Sequence, residues 1–212
     1  LKIIKINIGY NNYVLINMLQ IGVEAPDFEA DTYFPENKEI KTIKLSDYRG
    51  KWVILTFYPG DFTFVCATDI EALMGSYDKF LKEGAQIFGI SEDSVFSHKA
   101  WSDTSPRVSK SKIPLIDDYT KKIATEYGFL DTKGYQAQRG LVIIDPEGKV
   151  QYIAMFNNGL GKDVRHIYGA FMGLKVLHDT PEGEGHMCAI PANWEPGEKP
   201  LDIDVVRDIG KL

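Results

Sequence analysis

The sequence is poor in cysteine: Cys66 and Cys188 are the two cysteines among 212 residues. Two cysteines so far apart do not make the dense disulfide framework of a small secreted protein. They are also too few for a cysteine zinc site, and the spacing of the four histidines matches no metal site. We therefore expect no metal and no cofactor, and any special role of the cysteines has to be chemical.

The chain also lacks clustered basic residues and long apolar runs. Its 24 basic and 30 acidic side chains give a net charge of -6, without a block of Lys and Arg of the kind that follows nucleic-acid phosphates. No stretch of about 20 apolar residues is present that could cross a membrane. No glycine-rich phosphate-binding loop follows a predicted strand. We therefore expect no nucleic acid, no membrane and no nucleotide among the partners.

Residues 1–17 differ in composition from the rest of the chain. They are rich in Ile, Asn, Lys and Tyr, but they contain neither a small-residue cleavage site nor a continuous apolar core. A secretory signal peptide is therefore a poor fit. We expect a loosely ordered, non-core extension before Met18, with a pairing edge strand as the alternative. Because thiols stay reduced in the cytoplasm unless they take part in redox chemistry, we expect a cytoplasmic protein.

From Met18 onward, short β-branched runs alternate with segments of helical periodicity. The predicted strands lie at 52–57, 86–91, 113–116, 141–145 and 150–156, and the predicted helices at 66–84, 94–102, 119–127 and 163–178. This order predicts an α/β fold with a mixed central sheet flanked by helices. We assign 18–178 to one domain. Residues 179–212, which hold four of the ten prolines and many acidic residues, are expected to form an extended tail that carries Cys188.

Cys66 stands where a predicted strand passes through a short loop into a helix. The unpaired N–H groups and partial positive charge of a helix N-terminus stabilise a thiolate, which is the reactive form of cysteine. Thr63, three residues earlier, can bond an oxygen species beside the sulfur or can cap the helix. Arg139, just before a predicted strand, can add positive charge. The alternatives are a buried apolar Cys66 and a solvated Arg139.

The segment YPGDFTFVCATD resembles the active-site signature of the peroxiredoxins, which are thiol peroxidases with a thioredoxin-like fold. The resemblance covers most of the chain from Ile21 onward, including KWVILTFYP, SEDSVFSHKAW, QRGLVIIDPEGKV and PANW. The segments HKAWSDTS and DIDVVRDIGKL are most similar to the peroxidase component of bacterial alkyl hydroperoxide reductase. That component is a typical two-cysteine peroxiredoxin.

The resemblance implies a role for each candidate residue. Cys66 becomes the peroxidatic cysteine, Pro59 shields it, Thr63 orients the peroxide, and Arg139 favours the thiolate and stabilises the transition state. Cys188 becomes the resolving cysteine, supplied by the tail of a partner subunit. The implied reaction reduces hydrogen peroxide and organic hydroperoxides through a sulfenic acid and an intersubunit disulfide. The implied partners are a dithiol reductant, either thioredoxin or a flavoprotein disulfide reductase, and further copies of the chain in a homodimer and a ring of five dimers.

Three positions depart from the family pattern. Ala67 replaces the usual proline after the peroxidatic cysteine, and Asp69 replaces the usual glutamate. Cys188 stands two residues before its usual place, which Ile190 occupies. Because of this displacement, a one-cysteine peroxidase resolved by an external thiol stays open as an alternative. The resemblance also leaves open a holdase-type chaperone assembly, a role that peroxiredoxin assemblies can show.

Overall fold

A computed structural model describes residues 3–7, 13–17, 19–180, 186–204 and 206–211 of the chain. Met18, at which the predicted domain begins, lies outside these residues, as do parts of the predicted extensions 1–17 and 179–212. The chain divides into two compact units, Leu1–Lys162 and Asp163–Leu212, which are described separately. Among the described residues, no helix is both long enough and apolar enough to span a membrane.

The first unit carries the strands and helices that build the central sheet. Its described strands are β1 (Ile3–Asn7), β2 (Tyr13–Asn17), β3 (Glu29–Phe34), β4 (Glu39–Lys44), β5 (Trp52–Phe57), β6 (Ala85–Ser91), β7 (Leu115–Asp117), β8 (Gly140–Ile144) and β9 (Val150–Met155). Its described helices are α1 (Phe64–Lys82), α2 (Val95–Thr104) and α3 (Lys122–Glu126), with a short 3-10 turn at Leu45–Tyr48. Strands β1 and β2 pair with each other in a separate two-stranded sheet.

The central sheet has seven strands in the order β4-β3-β7-β6-β5-β8-β9. Strand β6 runs parallel to β5 and β7, whereas the other pairs are antiparallel, so the sheet is mixed and the predicted α/β class is confirmed. Every residue of β5 is buried, as expected for a strand covered on both faces. Because Phe57 at the end of β5 pairs with Gly140 at the start of β8, the loop after β5 and the residue before β8 meet at one edge.

The sequence prediction is wrong at two places in the first unit. The β3–β4 hairpin was not predicted, because four of the six residues of β4 are charged or Thr and five of the six are exposed. The helix predicted at 119–127 is confined to α3, because Lys121 has a left-handed backbone with φ 62°. The Asp118 carboxylate replaces the missing turn by accepting bonds from Ile123 N–H (2.9 Å) and Ala124 N–H (2.7 Å).

The second unit contains the predicted last helix and a hairpin in the tail. Helix α4 (Val164–Asp179) is capped by Asp163, whose carboxylate accepts from the N–H of Arg165 at 3.0 Å. Strands β10 (His186–Ala189) and β11 (Leu201–Asp204) pair antiparallel, with Cys188 opposite Asp202. This short hairpin lies inside the segment for which the sequence predicts only an extended tail.

Candidate active site

Cys66 is the third residue of α1, in the first helical turn, as the sequence predicts. Its side chain is only 1% exposed and its thiol is free. Six residues pack around it, from just after β5, from α1, α2 and β7, and from the loop after α2: Tyr58, Ala67, Ile70, Trp101, Val108 and Leu115. This enclosure excludes water from the sulfur, so that neighbouring charges act on it through a medium of low polarity.

Arg139 is the charged group in contact with this sulfur. Its Nη2 lies 3.4 Å from Cys66 Sγ, and the residue is 1% exposed rather than solvated. Asn158 fixes it by two routes: the Asn158 carbonyl accepts from Nη2 at 3.1 Å, and the Asn158 side chain accepts from the Arg139 backbone N–H at 2.8 Å. A guanidinium against a cysteine sulfur is a typical environment of a nucleophilic thiol.

A buried ion cluster holds the other side of the guanidinium. Asp69 Oδ2 accepts from Arg139 Nη1 and, at 3.0 Å, from Lys162 Nζ. Lys162 Nζ also donates to the carbonyl of Phe57 at 3.0 Å, and its backbone N–H donates to Asp69 Oδ1 at 2.9 Å. Burial lowers the pKa of Lys162, and the charge of Asp69 partly opposes this change. With both cations charged, one carboxylate faces two of them, so positive charge is in excess beside Cys66.

The sequence did not identify Lys162 or Asn158 as functional residues. Lysine is usually exposed, and a lysine next to a helix cap carries no signal of burial. Asp69 had a usable signal, because a residue three positions after Cys66 on a helix lies on the same face. The structure shows that Asp69 contacts Arg139, although its side chain is shorter than that of the usual glutamate.

The loop between β5 and α1 contains the other two candidates of the first unit. The Thr63 hydroxyl is exposed and donates to the carbonyl of Gly60 at 2.9 Å, and it makes no side-chain cap of α1. Pro59 is half-buried at the beginning of the same loop. Cys188 lies in the second unit, on β10, with a half-buried free thiol. The roles proposed for these three residues stay predictions.

Asp61 anchors this loop. Its carboxylate accepts from Tyr58 Oη and contacts His98 Nδ1, each at 2.9 Å, and its backbone N–H donates to Asp93 at 2.7 Å. Burial disfavours the charged form of His98, but the hydrogen bond and charge of Asp61 raise its pKa. The other ring nitrogen of His98 meets the Ile116 carbonyl at 3.1 Å. The loop that precedes Cys66 is therefore fixed by a buried polar network.

In the part of the chain that the structure describes, no group of three or more His, Cys, Asp or Glu side chains is arranged to hold a metal ion. The site brings together a buried thiol, a guanidinium that touches it, and a carboxylate and an amine that hold the guanidinium.

Comparison with known proteins identifies the family. The AhpC/TSA family model matches residues 21–153. The chain is 42% identical to the chloroplast 2-Cys peroxiredoxin BAS1 of Arabidopsis thaliana over 188 residues, which cover 87% of this chain and 68% of that protein. It is 36% identical to alkyl hydroperoxide reductase C of Staphylococcus haemolyticus over 194 residues, covering 91% and 100%.

A solved structure agrees with these relatives. Reduced 2-Cys peroxiredoxin of Plasmodium vivax superposes with a TM-score of 0.78 at 33% identity, covering 85% of this chain and 91% of that one. The fold is therefore thioredoxin-like, as expected. The chain belongs to the AhpC/TSA family and is a peroxiredoxin, a thiol-dependent peroxidase among the oxidoreductases.

Proposed function

We propose that the chain reduces hydrogen peroxide and organic hydroperoxides through Cys66. The observation that carries this proposal is the 3.4 Å contact between Arg139 Nη2 and Cys66 Sγ inside a cluster with excess positive charge. With Lys162 protonated, a thiolate at Cys66 brings the total charge of Cys66, Asp69, Arg139 and Lys162 to zero. Since unpaired buried charge is costly, the cluster favours the nucleophilic form of the sulfur.

In the proposed first step, the Cys66 thiolate attacks one oxygen of the peroxide. An S–O bond forms as the O–O bond breaks, so the sulfur is oxidised to a sulfenic acid and the peroxide is reduced. The departing hydroxide or alkoxide takes up a proton. Arg139 and the N–H groups of the first turn of α1 donate to the oxygen on which charge develops. Thr63 orients the peroxide through its hydroxyl oxygen, and Pro59 shields the sulfur from water.

In the proposed second step, Cys188 of a partner subunit condenses with the sulfenic acid to give a disulfide and water. A free thiol in the tail and the two-cysteine character named for the relatives support this step. Because Cys66 is 1% exposed, its sulfur has to leave the pocket, and we propose that the first turn of α1 unwinds locally. A dithiol, from thioredoxin or a flavoprotein disulfide reductase, then restores both thiols by exchange.

The proposed assembly is a homodimer, with a ring of five dimers as its larger form, and the proposed compartment is the cytoplasm. The exposed aromatic ring of Phe64, 92% accessible beside the active-site loop, is consistent with a subunit contact there. A one-cysteine peroxidase resolved by an external thiol is the alternative, since Cys188 is displaced from the usual position.

A single-turnover assay of peroxide consumption tests the first step. Reduced protein mixed with an equal amount of hydrogen peroxide, without any reductant, is expected to consume the peroxide within the mixing time of a manual assay. A sulfenic-acid reagent added to the Cys188→Ser variant is expected to label Cys66, because no resolving thiol removes the sulfenic acid. Peroxide that disappears no faster than in buffer, or label confined to other residues, contradicts the proposal.

The second step predicts a change in electrophoretic mobility. Peroxide-treated wild-type chain is expected to run as a disulfide-linked dimer on a non-reducing gel, and the Cys188→Ser and Cys66→Ser variants as monomers. The matched control is each sample after reduction with dithiothreitol. Cys188→Ser that still gives the dimer excludes Cys188 as the resolving residue. Wild-type protein that stays monomeric while it consumes peroxide supports the one-cysteine alternative.

A further inference from the structure

Glu92 is a buried carboxyl group to which the proposed mechanism assigns no role. It directly follows β6, and both of its carboxylate oxygens are inaccessible to solvent. Within the described part of the chain, neither oxygen meets a hydrogen-bond partner in regular geometry. An unpaired buried carboxylate costs considerable free energy, so a group in this position calls for an explanation.

The sheet topology places Glu92 at the edge that holds the active site. Strands β6 and β7 are parallel, with Ser91 paired to Asp117, so Glu92 and Asp118 leave the sheet side by side. Strand β8 begins at the same edge, because β5 pairs with both β6 and β8 at its last residue. Glu92 is therefore adjacent to the segment 137–139, which leads into β8. The last residue of this segment is Arg139, whose guanidinium contacts Cys66.

The charges that face Glu92 are negative. Asp93, the next residue, uses its carboxylate to accept from Asp61 N–H (2.7 Å) and from the Ser91 hydroxyl (2.8 Å). Asp118, from the end of β7, accepts from two backbone N–H groups of α3. Both neighbouring carboxylates therefore have hydrogen-bond donors, although burial still raises the pKa of Asp118. Glu92 faces the backbone N–H groups of Ala137 and of Glu92 itself, which favour its charge without forming regular hydrogen bonds.

Glu92 is the carboxyl group of this trio whose oxygens have no regular hydrogen-bond donor. Burial raises its pKa to about 7, the N–H of Ala137 opposes that rise, and the charges of Asp118 and Asp93 add to it. Near neutral pH the group therefore exists in both forms. Neutral Glu92 fits surroundings whose nearest charges, Asp118 and Asp93, are both negative, whereas ionised Glu92 needs donors or water at both of its buried oxygens.

The segment 137–139 is the element that can respond to this charge. Ala137 is fully buried and pairs with Leu130 in an isolated bridge. Gln138 N–H donates to the carbonyl of Phe129 at 2.7 Å, and Arg139 follows immediately. A movement of Ala137 toward an ionised carboxylate, or entry of water beside it, therefore reaches the guanidinium within two residues.

We propose that Glu92 is a positioning residue for Arg139: its protonated carboxyl group leaves the segment 137–139 in the arrangement described, and its ionisation pulls the Ala137 N–H toward the carboxylate and shifts the guanidinium away from Cys66. The proposal rests on the proposed peroxidase chemistry for its effect on rate. The proton itself can be measured independently of that chemistry.

The test of rate uses Glu92→Gln, whose side chain keeps the shape of the protonated acid and cannot ionise. The rate of Cys66 oxidation by hydrogen peroxide is followed in single turnovers between about pH 6 and about pH 9. Wild type is expected to lose about tenfold in rate on the alkaline side, with a midpoint near the pKa of Glu92. Glu92→Gln and the apolar Glu92→Leu are expected to lack that alkaline loss. Glu36→Gln, at an exposed glutamate in the β3–β4 turn, is expected to keep the wild-type profile.

The test of the proton is thermal unfolding, which needs no peroxidase activity. A carboxyl group with a higher pKa in the folded than in the unfolded chain lowers the stability of the fold as pH rises from the unfolded-state pKa to the folded-state pKa. Glu92→Gln should therefore melt like wild type near about pH 4.5 and about 4 °C above it at about pH 8. A Glu92→Gln variant that keeps the alkaline loss of rate, or that shows no pH-dependent gain in melting temperature, overturns the proposal. If neither protein reacts with peroxide, the peroxidase proposal is wrong, and the melting difference alone still supports or overturns the buried proton.

Discussion

Cys66→Ser is expected to reduce peroxide at no more than the background rate, a loss of more than about 10⁴-fold. The substitution replaces the sulfur of a residue that is 1% exposed with an oxygen, so the packing around it is retained. A serine hydroxyl accepts a hydrogen bond from Arg139 in place of the sulfur, but it is not ionised near neutral pH and is a weak nucleophile. The peroxide-binding groups therefore survive while the attacking atom is lost.

The measurement is peroxide consumption under an excess of dithiothreitol, with circular dichroism to verify folding. Cys188→Ser is the matched control, because it makes the same chemical change at the other cysteine. It is expected to retain the initial oxidation step, since its thiol acts only after the sulfenic acid forms. Cys66→Ser that consumes peroxide at a rate near that of Cys188→Ser would show that the reaction does not pass through Cys66.

Asp69→Asn is expected to lower the free energy of unfolding by about 3–5 kcal/mol, because it leaves two buried cations without their counter-charge. Asp69, Arg139 and Lys162 are each at most 2% exposed at their side chains, so solvent does not screen the loss. For a chain of this size the melting temperature should fall by about 10 °C. The oxidation rate of Cys66 should fall as well, since Arg139 loses the contact that orients it.

A second substitution distinguishes charge imbalance from general misfolding. Adding Lys162→Met to Asp69→Asn removes one of the uncompensated cations, so the double variant is expected to be more stable than Asp69→Asn alone. The matched control is Asp78→Asn, which makes the same change in an exposed ion pair with Lys112 and should cost less than about 1 kcal/mol. If the two aspartate variants are equally stable, or if Lys162→Met adds a further loss, the buried cluster does not stabilise the fold by charge.

The pH dependence of Asp69→Asn provides a further check. Lys162 already has a lowered pKa because of burial, and the loss of Asp69 removes the charge that opposes this change. A lysine with a depressed folded-state pKa binds fewer protons in the folded than in the unfolded chain, so stability rises with pH. Asp69→Asn should therefore regain stability toward alkaline pH, and the double variant with Lys162→Met should not.

The sequence predicts those parts of the fold whose signal is local. Strand β5 and helix α1 follow from an uninterrupted apolar run and a regular helical face, and together they place Cys66 correctly. The β3–β4 hairpin escapes prediction because it exposes most of its side chains, and α3 is shortened by the backbone angle of one lysine. The first difference arises because an exposed hairpin shows little alternation of apolar residues, and the second arises from a single dihedral angle.

The same limit applies to the candidate site. Cys66 and Arg139 are found by sequence reasoning, although Arg139 taken alone suggests a solvated residue. Lys162 and Asn158 are not found, because a buried lysine is tolerated only where a carboxylate such as Asp69 receives it. Burial of a cation is thus a property of the tertiary pair, and no pattern along the chain records it.

The excess positive charge around Cys66 has a consequence for turnover. Under the proposed chemistry, the thiolate is the group that balances the Arg139–Asp69–Lys162 cluster before reaction. A neutral sulfenic acid does not balance that cluster, so oxidation of the thiolate to the neutral acid leaves one buried cation uncompensated. Oxidation therefore lowers the stability of the closed pocket. Unwinding of the first turn of α1 is then favoured only after peroxide has been consumed. The closed pocket is thus more stable while the sulfur is a thiolate and less stable once the sulfenic acid has formed.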